Sequence, residues 1–254
     1  MLVLLPPSET KRNGGREDRG LDLAALGYPG LAGQRSVALA ATAALSLDPE
    51  AMRVALGLSV RQLFEVERNA AIARSPVMAA LDRYTGVLYD ALDAASLSPD
   101  ARALAAGTVV IHSALFGLLR ADDPIPAYRM SHDSRLPGLR LKAHWRDAVA
   151  SQLADHPGLI LDLRSEAYVA LGPVPSGAYF LRVVSAGPDG VKRALNHFNK
   201  KGKGIFVRTL LEAGIEHPDV ESLLAWAESA GVRLAPGAEG ELELTVDPIV
   251  ATRA

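Results

Sequence analysis

The stretch 107–130 constrains the fold of this chain more than any other. It begins with a short β-branched run at residues 108–111, which predicts a buried strand. A loop follows in which Pro124 and Pro126 stiffen the backbone. Three side chains that could bind an anion leave this stretch: Arg120, Tyr128 and Arg129. A buried strand that opens into a polar loop is a common place for a functional site in an α/β protein.

Other apolar runs also end in polar residues. Residues 2–5 predict a strand that leads to Ser8, and residues 158–163 predict a second that leads to Ser165 and Glu166. A third strand is predicted at 178–184. A fourth is predicted at 241–246, where the alternating polarity is typical of a half-exposed strand at the edge of a sheet. Helical patterns lie between the strands, at 35–69, 141–156 and 218–230. The mixture predicts one α/β domain, residues 1–254, with a mixed β-sheet covered by helices.

Composition excludes several classes of site. The chain has 254 residues, of which 49 % are hydrophobic, so a large core can form. It contains no cysteine, which excludes disulfides, thiolate metal ligands and thiol nucleophiles. Its net charge is −2, so any contact with nucleic acid requires a local basic patch. No apolar run is long enough for a signal peptide or a membrane span, and a soluble cytoplasmic protein without a membrane partner is expected.

Well-known catalytic motifs are missing from the sequence. It has no Gly-x-Ser-x-Gly elbow, no Walker A sequence and no dinucleotide fingerprint. The six histidines are scattered without the spacing of metal ligands. We therefore predict no metal site and no cofactor. The sequence leaves the oligomeric state open.

The clearest charge asymmetry is an acid-free basic tract at residues 190–208. Glycines allow a backbone to approach phosphate closely, and neighbouring lysines add charge. A helix, a Gly-x-Gly turn and a second helix also form the helix-hairpin-helix that grips the DNA backbone. A solvated lysine face at a helix break is an equally reasonable interpretation. The predicted phosphate- or DNA-binding residues of this tract are Lys200, Lys201, Gly202, Lys203, Gly204 and Arg208.

A second set of polar residues predicts a cleft formed by the loops after the strands. Arginine suits bidentate binding of phosphate, which favours Arg120 and Arg129 as phosphate ligands together with Ser8. Glu166 could act as a general acid or base if burial favours its protonated form, with Ser165 and Tyr128 as further catalytic candidates. An internal lattice of arginines and carboxylates is the alternative.

An ordered set of motifs across essentially the whole chain resembles one known family. The motifs are the segment 4–11 (LLPPSETK), Tyr84-Thr85-Gly86, the segments 116–120 and 126–130, Trp145, the segment 163–168 and the segment 198–204 (FNKKGKG). Together they are similar to the YaaA family of peroxide-stress proteins. The chain departs from the family pattern in this first segment. Either Glu9 occupies the position where many members have a lysine, or the equivalent lysine is displaced by two residues to Lys11.

The resemblance implies a cytoplasmic bacterial protein of one α/β domain with a positively charged cleft and a helix-hairpin-helix-like element at residues 200–208. It implies binding of double-stranded DNA and a role in limiting oxidative DNA damage. Two functions follow as hypotheses. One is DNA binding without sequence specificity, and the other is an enzyme acting on a nucleotide, a nucleobase or another phosphorylated metabolite in the same cleft.

Overall fold

The computed structural model describes residues 1–186, 192–194 and 199–246. Its strands within these residues are β1 (Leu2–Leu5), β2 (Met78–Ala79), β3 (Val109–Ser113), β4 (Gly117–Arg120), β5 (Pro124–Ile125), β6 (Ile160–Asp162), β7 (Tyr179–Ala186), β8 (Lys192–Ala194), β9 (Leu234–Pro236) and β10 (Glu241–Val246). Its helices are α1 (Ala32–Leu45), α2 (Pro49–Ala55), α3 (Phe64–Ala70), α4 (Ala80–Arg83), α5 (Val87–Leu92), α6 (Pro99–Thr108), α7 (Leu141–Ala154), α8 (Glu166–Val169), α9 (Asn199–Glu212) and α10 (Val220–Ser229).

One mixed sheet dominates the molecule. Its order is β4-β3-β1-β6-β7-β10-β9, and β8 pairs with β7. The strands β3, β1, β6, β7 and β10 run parallel to one another, whereas β4, β8 and β9 are antiparallel to their neighbours. A separate two-stranded sheet joins β2 and β5. The predicted α/β domain with a mixed, helix-covered sheet is confirmed.

The central strands are apolar because both faces of the sheet are covered. All four residues of β1 are buried, and Leu4 pairs with Val110 on one side and with Asp162 on the other. Trp145 of α7 is completely buried and donates its indole N–H to Ala114 O at 2.8 Å. Among the described residues, no helix is long and apolar enough to cross a membrane.

The order of the strands creates a crevice. From β1 the chain continues to β3 on one side, and from β6 it continues to β7 on the other side. Since β1 and β6 are neighbours, the connections diverge at their carboxyl ends. Open α/β sheets bind ligands at such a switch point.

Strand β10 is not at the edge of the sheet, so that prediction is wrong. It lies between β7 and β9, and its Leu242 and Leu244 pair with Pro236 and Leu234 of β9. Strand β9 has only three residues and ends in proline, which a sheet tolerates at its outer edge. A segment this short and exposed gives no periodic signal in the sequence.

The predicted turn at Gly202–Gly204 is also wrong, because these residues lie inside the continuous helix α9. A Cβ atom at Gly204 would lie 2.2 Å from Leu88 O, and one at Gly202 would lie 3.1 Å from Val246 Cγ1. The glycines therefore let α9 approach α5 on one side and the sheet on the other. The part of the predicted hairpin before Asn199 lies outside the described residues.

Candidate functional site

A cavity of about 800 Å³ lies at the switch point. The loop after β1 contributes Ser8 and Glu9, and the loop after β6 contributes Ser165 and Glu166. The other walls come from β7 and α9. Their polar or aromatic lining residues are Phe180, Arg182, Asn199, Lys200 and Lys203. The volume is typical of sites for small molecules.

Lys203 lies in the wall of this cavity and is only 4 % exposed. Its Nζ donates to Leu163 O at 2.9 Å and lies 5.2 Å from the centre of the Phe180 ring. Desolvation lowers the pKa of Lys203 to about 8, although the charge of Asp162 opposes that shift. Lys203 therefore holds its proton weakly for a lysine.

The carboxylate of Asp162 forms a two-point ion pair with Arg164. Arg164 donates from Nε to Oδ1 at 2.8 Å and from Nη2 to Oδ2 at 2.6 Å, and both side chains are buried. Arg164 Nη1 lies 2.8 Å from His112 Nδ1. Burial, and then the charge of Arg164, lowers the pKa of His112 well below its ordinary value, so the imidazole is neutral and accepts at Nδ1. This buried chain fixes the backbone after β6, from which Ser165 and Glu166 extend.

Tyr128 lies outside the cavity lining and is 1 % exposed. Its hydroxyl is 2.7 Å from the hydroxyl of Tyr84 and 2.6 Å from Ser113 Oγ. Burial raises the pKa of Tyr128 to about 12, so it stays protonated. In this position Tyr128 supports the loop after β1 and does not offer its ring to the cavity.

Lys11 lies above the Tyr128 ring, with Nζ 3.9 Å from the ring centre. Its Nζ donates to Ser8 O at 2.8 Å, and the residue is only 7 % exposed. Desolvation lowers the pKa of Lys11 to about 7, and the charges of Arg129 and Arg68 act in the same direction. Lys11 thus holds the loop that carries Ser8 and Glu9.

Arg129 does not line the cavity itself, but it forms an ion pair with Glu9, which does.

Glu166 lines the cavity, but its side chain is 83 % exposed. The burial that would favour its protonated form, as the acid–base prediction requires, is therefore missing. Within the described residues Glu166 forms an ion pair with Arg182, whose Nη1 lies 3.9 Å from Glu166 Oε1. Ser165 precedes α8 as its N-cap residue.

Two predicted phosphate ligands lie elsewhere, so the prediction of one continuous cleft is wrong for them. Arg120 lines a separate groove of about 460 Å³ with Leu2 and His156, at the amino end of β1. Arg208 Nη1 donates to Leu92 O at 2.9 Å and to Asp93 O at 3.0 Å, where α5 ends. Charge in the sequence does not distinguish a ligand-binding cation from one that satisfies backbone carbonyls.

The remaining lysines of the basic tract differ in their exposure to solvent. Lys200 is exposed and lines the cavity, one helical turn from Lys203. Lys201 is half-buried and does not line the cavity. The cavity thus brings together Ser8, Ser165, Glu166, Lys200 and Lys203 from the predicted set.

Sequence comparison agrees with the motif pattern. Residues 1–235 match the family model described as "Peroxide stress protein YaaA". The chain belongs to this family. A UPF0246 protein of Corynebacterium glutamicum is 42 % identical over 237 residues, covering 91 % of this chain and 94 % of the relative. UPF0246 proteins of Corynebacterium efficiens and Streptomyces coelicolor are 41 % and 43 % identical, covering 97 % and 84 % of this chain and 100 % and 84 % of the relatives.

Sequence reasoning missed two parts of the site in this family member. One is the buried chain of Asp162, Arg164 and His112, whose signal was an aspartate inside an apolar strand followed two residues later by arginine. The other is the aromatic wall formed by Phe180 and Tyr168. Phe180 lay within a predicted strand, where alternation alone did not show that one face opens into a cavity.

Proposed function

We propose that this member of the peroxide stress family is an enzyme that binds a phosphorylated small molecule, of nucleotide or sugar-phosphate size, in the cavity at the ends of β1 and β6. The observation that carries the proposal is the pair Lys200 and Lys203, which lie one turn apart on α9 and both line this cavity. Lys200 at the exposed mouth suits a phosphate group. The hydroxyls of Ser8 and Ser165 on the neighbouring loops suit the remaining oxygens of the ligand.

A small ligand fits the arrangement of charges better than a long duplex. Lys203 is buried, and Arg208 donates to carbonyls at the end of α5. Among the lysines and the arginine predicted to bind DNA within residues 200–208, all in the described part of the chain, Lys200 is the one that is fully exposed. Duplex binding requires several exposed cations, because each phosphate contact adds only a modest amount of affinity.

The proposal is tested by thermal denaturation with matched ligand pairs, such as nucleoside monophosphates against nucleosides and sugar phosphates against sugars. A phosphorylated member should raise the melting temperature, while its dephosphorylated partner should not. Lys200→Ala should weaken binding roughly fivefold, equivalent to about 1 kcal/mol for one exposed charged contact. Arg120→Ala is the matched control and should bind like the wild type. Equal stabilisation by both members of each pair would contradict the proposal.

DNA binding in the cytoplasm, without sequence specificity, is the second candidate, because Lys200 is exposed at the mouth of the cavity. A nucleotide turned out of a duplex would combine both functions, with its base in the cavity. A gel-shift titration with salt tests this candidate on the wild type and on a variant with Lys200, Lys201 and Lys203 changed to alanine. Unchanged DNA binding by that variant would remove α9 from any DNA interface.

A further inference from the structure

We propose that Lys203 is a catalytic nucleophile and that the substrate is a phosphorylated aldehyde or ketone, with which its amine forms an imine. This inference rests on the proposed function, since it assigns the chemistry of the same cavity. An open-chain sugar phosphate has the required combination of a carbonyl group and a phosphate.

The surroundings of Lys203 favour a reactive amine. Leu88, Phe180 and Val183 line the same cavity, so the amine is flanked by apolar side chains. Among the described residues its hydrogen-bond acceptor is one backbone carbonyl, Leu163 O at 2.9 Å. A neutral amine can keep that hydrogen bond after losing a proton, because it still has N–H groups to donate.

The nearby charges do not stabilise the ammonium form as a direct ion pair would. The Asp162 carboxylate is bonded at both oxygens by Arg164. Arg182 lines the same cavity, and its charge disfavours a second cation. Desolvation therefore dominates, and a pKa of about 8 leaves roughly a tenth of the amines neutral at pH 7. An unperturbed lysine would be neutral in well under one part in a thousand.

The reaction is balanced without an oxidant or a reductant. The lone pair of the amine forms a C–N bond to the carbonyl carbon, and the π electrons of the C=O bond move to oxygen, which takes up a proton. Nitrogen loses a proton, and the resulting hydroxyl group takes up a second proton. The C–O bond then breaks as the nitrogen lone pair forms the C=N bond, so that water leaves and a protonated imine remains, which gives the neutral imine when nitrogen loses its last proton. Amine plus carbonyl thus gives imine plus water. The protonated imine withdraws electrons and activates the bonds next to its carbon.

Lys11 provides a built-in comparison. Its pKa is also lowered, to about 7, but it does not line the cavity, and the Tyr128 ring lies over its Nζ. If a depressed pKa alone caused reactivity, Lys11 would react at least as readily as Lys203. If position in the cavity is decisive, only Lys203 reacts rapidly.

The experiment uses pyridoxal 5′-phosphate, an aldehyde with a phosphate, as the probe, and cyanoborohydride to reduce any imine. Mass spectrometry of peptides then locates the adducts in the wild-type protein. We expect Lys203 to be labelled at least tenfold faster than Lys200 or Lys11, with a rate that rises with pH around a midpoint near 8. Pyridoxal without phosphate should label Lys203 much more slowly, and Lys203→Arg should lose one equivalent of label.

Three outcomes overturn all or part of the inference and separate it from the proposed function. If pyridoxal 5′-phosphate stabilises the protein against heat but labels only exposed lysines, Lys203 is not a nucleophile, although the cavity still binds phosphorylated compounds. If Lys203 is not labelled and neither pyridoxal 5′-phosphate nor any phosphorylated member of the matched pairs stabilises the protein, both proposals fail. Rapid labelling of Lys203 by both aldehydes equally would retain the nucleophile and exclude phosphate as part of the recognition.

Discussion

At the scale of single residues, Arg208 shows how a basic side chain can serve the fold instead of a ligand. Its guanidinium donates to Leu92 O, Asp93 O and Ser96 Oγ, and thereby satisfies carbonyl groups where α5 ends. We predict that Arg208→Ala lowers the free energy of unfolding by about 1–2 kcal/mol, because these carbonyls lose a charged donor. Urea denaturation measures the change.

Lys200→Ala is the control for Arg208→Ala. Lys200 belongs to the same basic tract and the same helix but is exposed. Its replacement should change the free energy of unfolding by no more than about 0.5 kcal/mol. Equal destabilisation by the two substitutions would show that the carbonyl contacts of Arg208 contribute nothing special.

Lys11 makes stability depend on pH in an unusual direction. The pKa of Lys11 is about 7 in the folded protein and 10.5 for an unperturbed lysine, so between these pH values the unfolded chain binds more protons. The cost of burying its charge is therefore complete below pH 7 and disappears as pH rises from 7 to 10.5. We predict that wild type gains about 2.6 kcal/mol relative to Lys11→Met between pH 6 and pH 9.

Urea denaturation of both proteins at the two pH values measures the gain from Lys11, and taking the difference removes the titration of other groups. Glu65 and Glu9 oppose the shift, while Arg129 and Arg68 increase it, so all four remain in both proteins. A constant difference between wild type and Lys11→Met over this range would mean that Lys11 titrates as an ordinary surface lysine.

At the scale of elements, the contact between α9 and α5 depends on Gly204. A Cβ atom there would lie 2.2 Å from Leu88 O and 2.9 Å from Ala91 Cβ. We predict that Gly204→Ala lowers the free energy of unfolding by about 2–3 kcal/mol, because forcing the helices apart outweighs the helix propensity gained. Gly107→Ala in α6 is the control, since nothing lies within 4 Å of its Cβ position, and it should be neutral or slightly stabilising. Thermal or urea denaturation compares them.

Elements with a strong periodic signal could be predicted from the sequence. Strands β1, β6 and β7 are apolar runs with sharp exits, and α7 has a clear apolar stripe, so each was found. Strand β4 was missed because it follows β3 after a turn of only three residues, begins at Gly117 with a φ of 67°, and has no alternation of its own. The glycines of α9 predicted a turn because the sequence does not reveal a neighbouring helix that requires close packing.

At the scale of the whole molecule, the order of the strands decides which polar residues meet. Ser8 and Ser165 could be assigned to one site because each follows an apolar strand, and the loops after neighbouring parallel strands lie at the same end of the sheet. Arg120 could not be placed correctly, because β4 runs antiparallel to β3 and returns it to the opposite end. The direction of a strand is a tertiary property that local sequence does not encode.

The most direct test of the account is the position of a bound phosphate in a crystal grown with the phosphorylated compound that stabilises the protein most. The account predicts density for the phosphate within hydrogen-bond distance of Lys200, in the cavity between the loops that follow β1 and β6. Phosphate bound instead in the groove of Arg120, with the cavity at the ends of β1 and β6 unchanged, would contradict it.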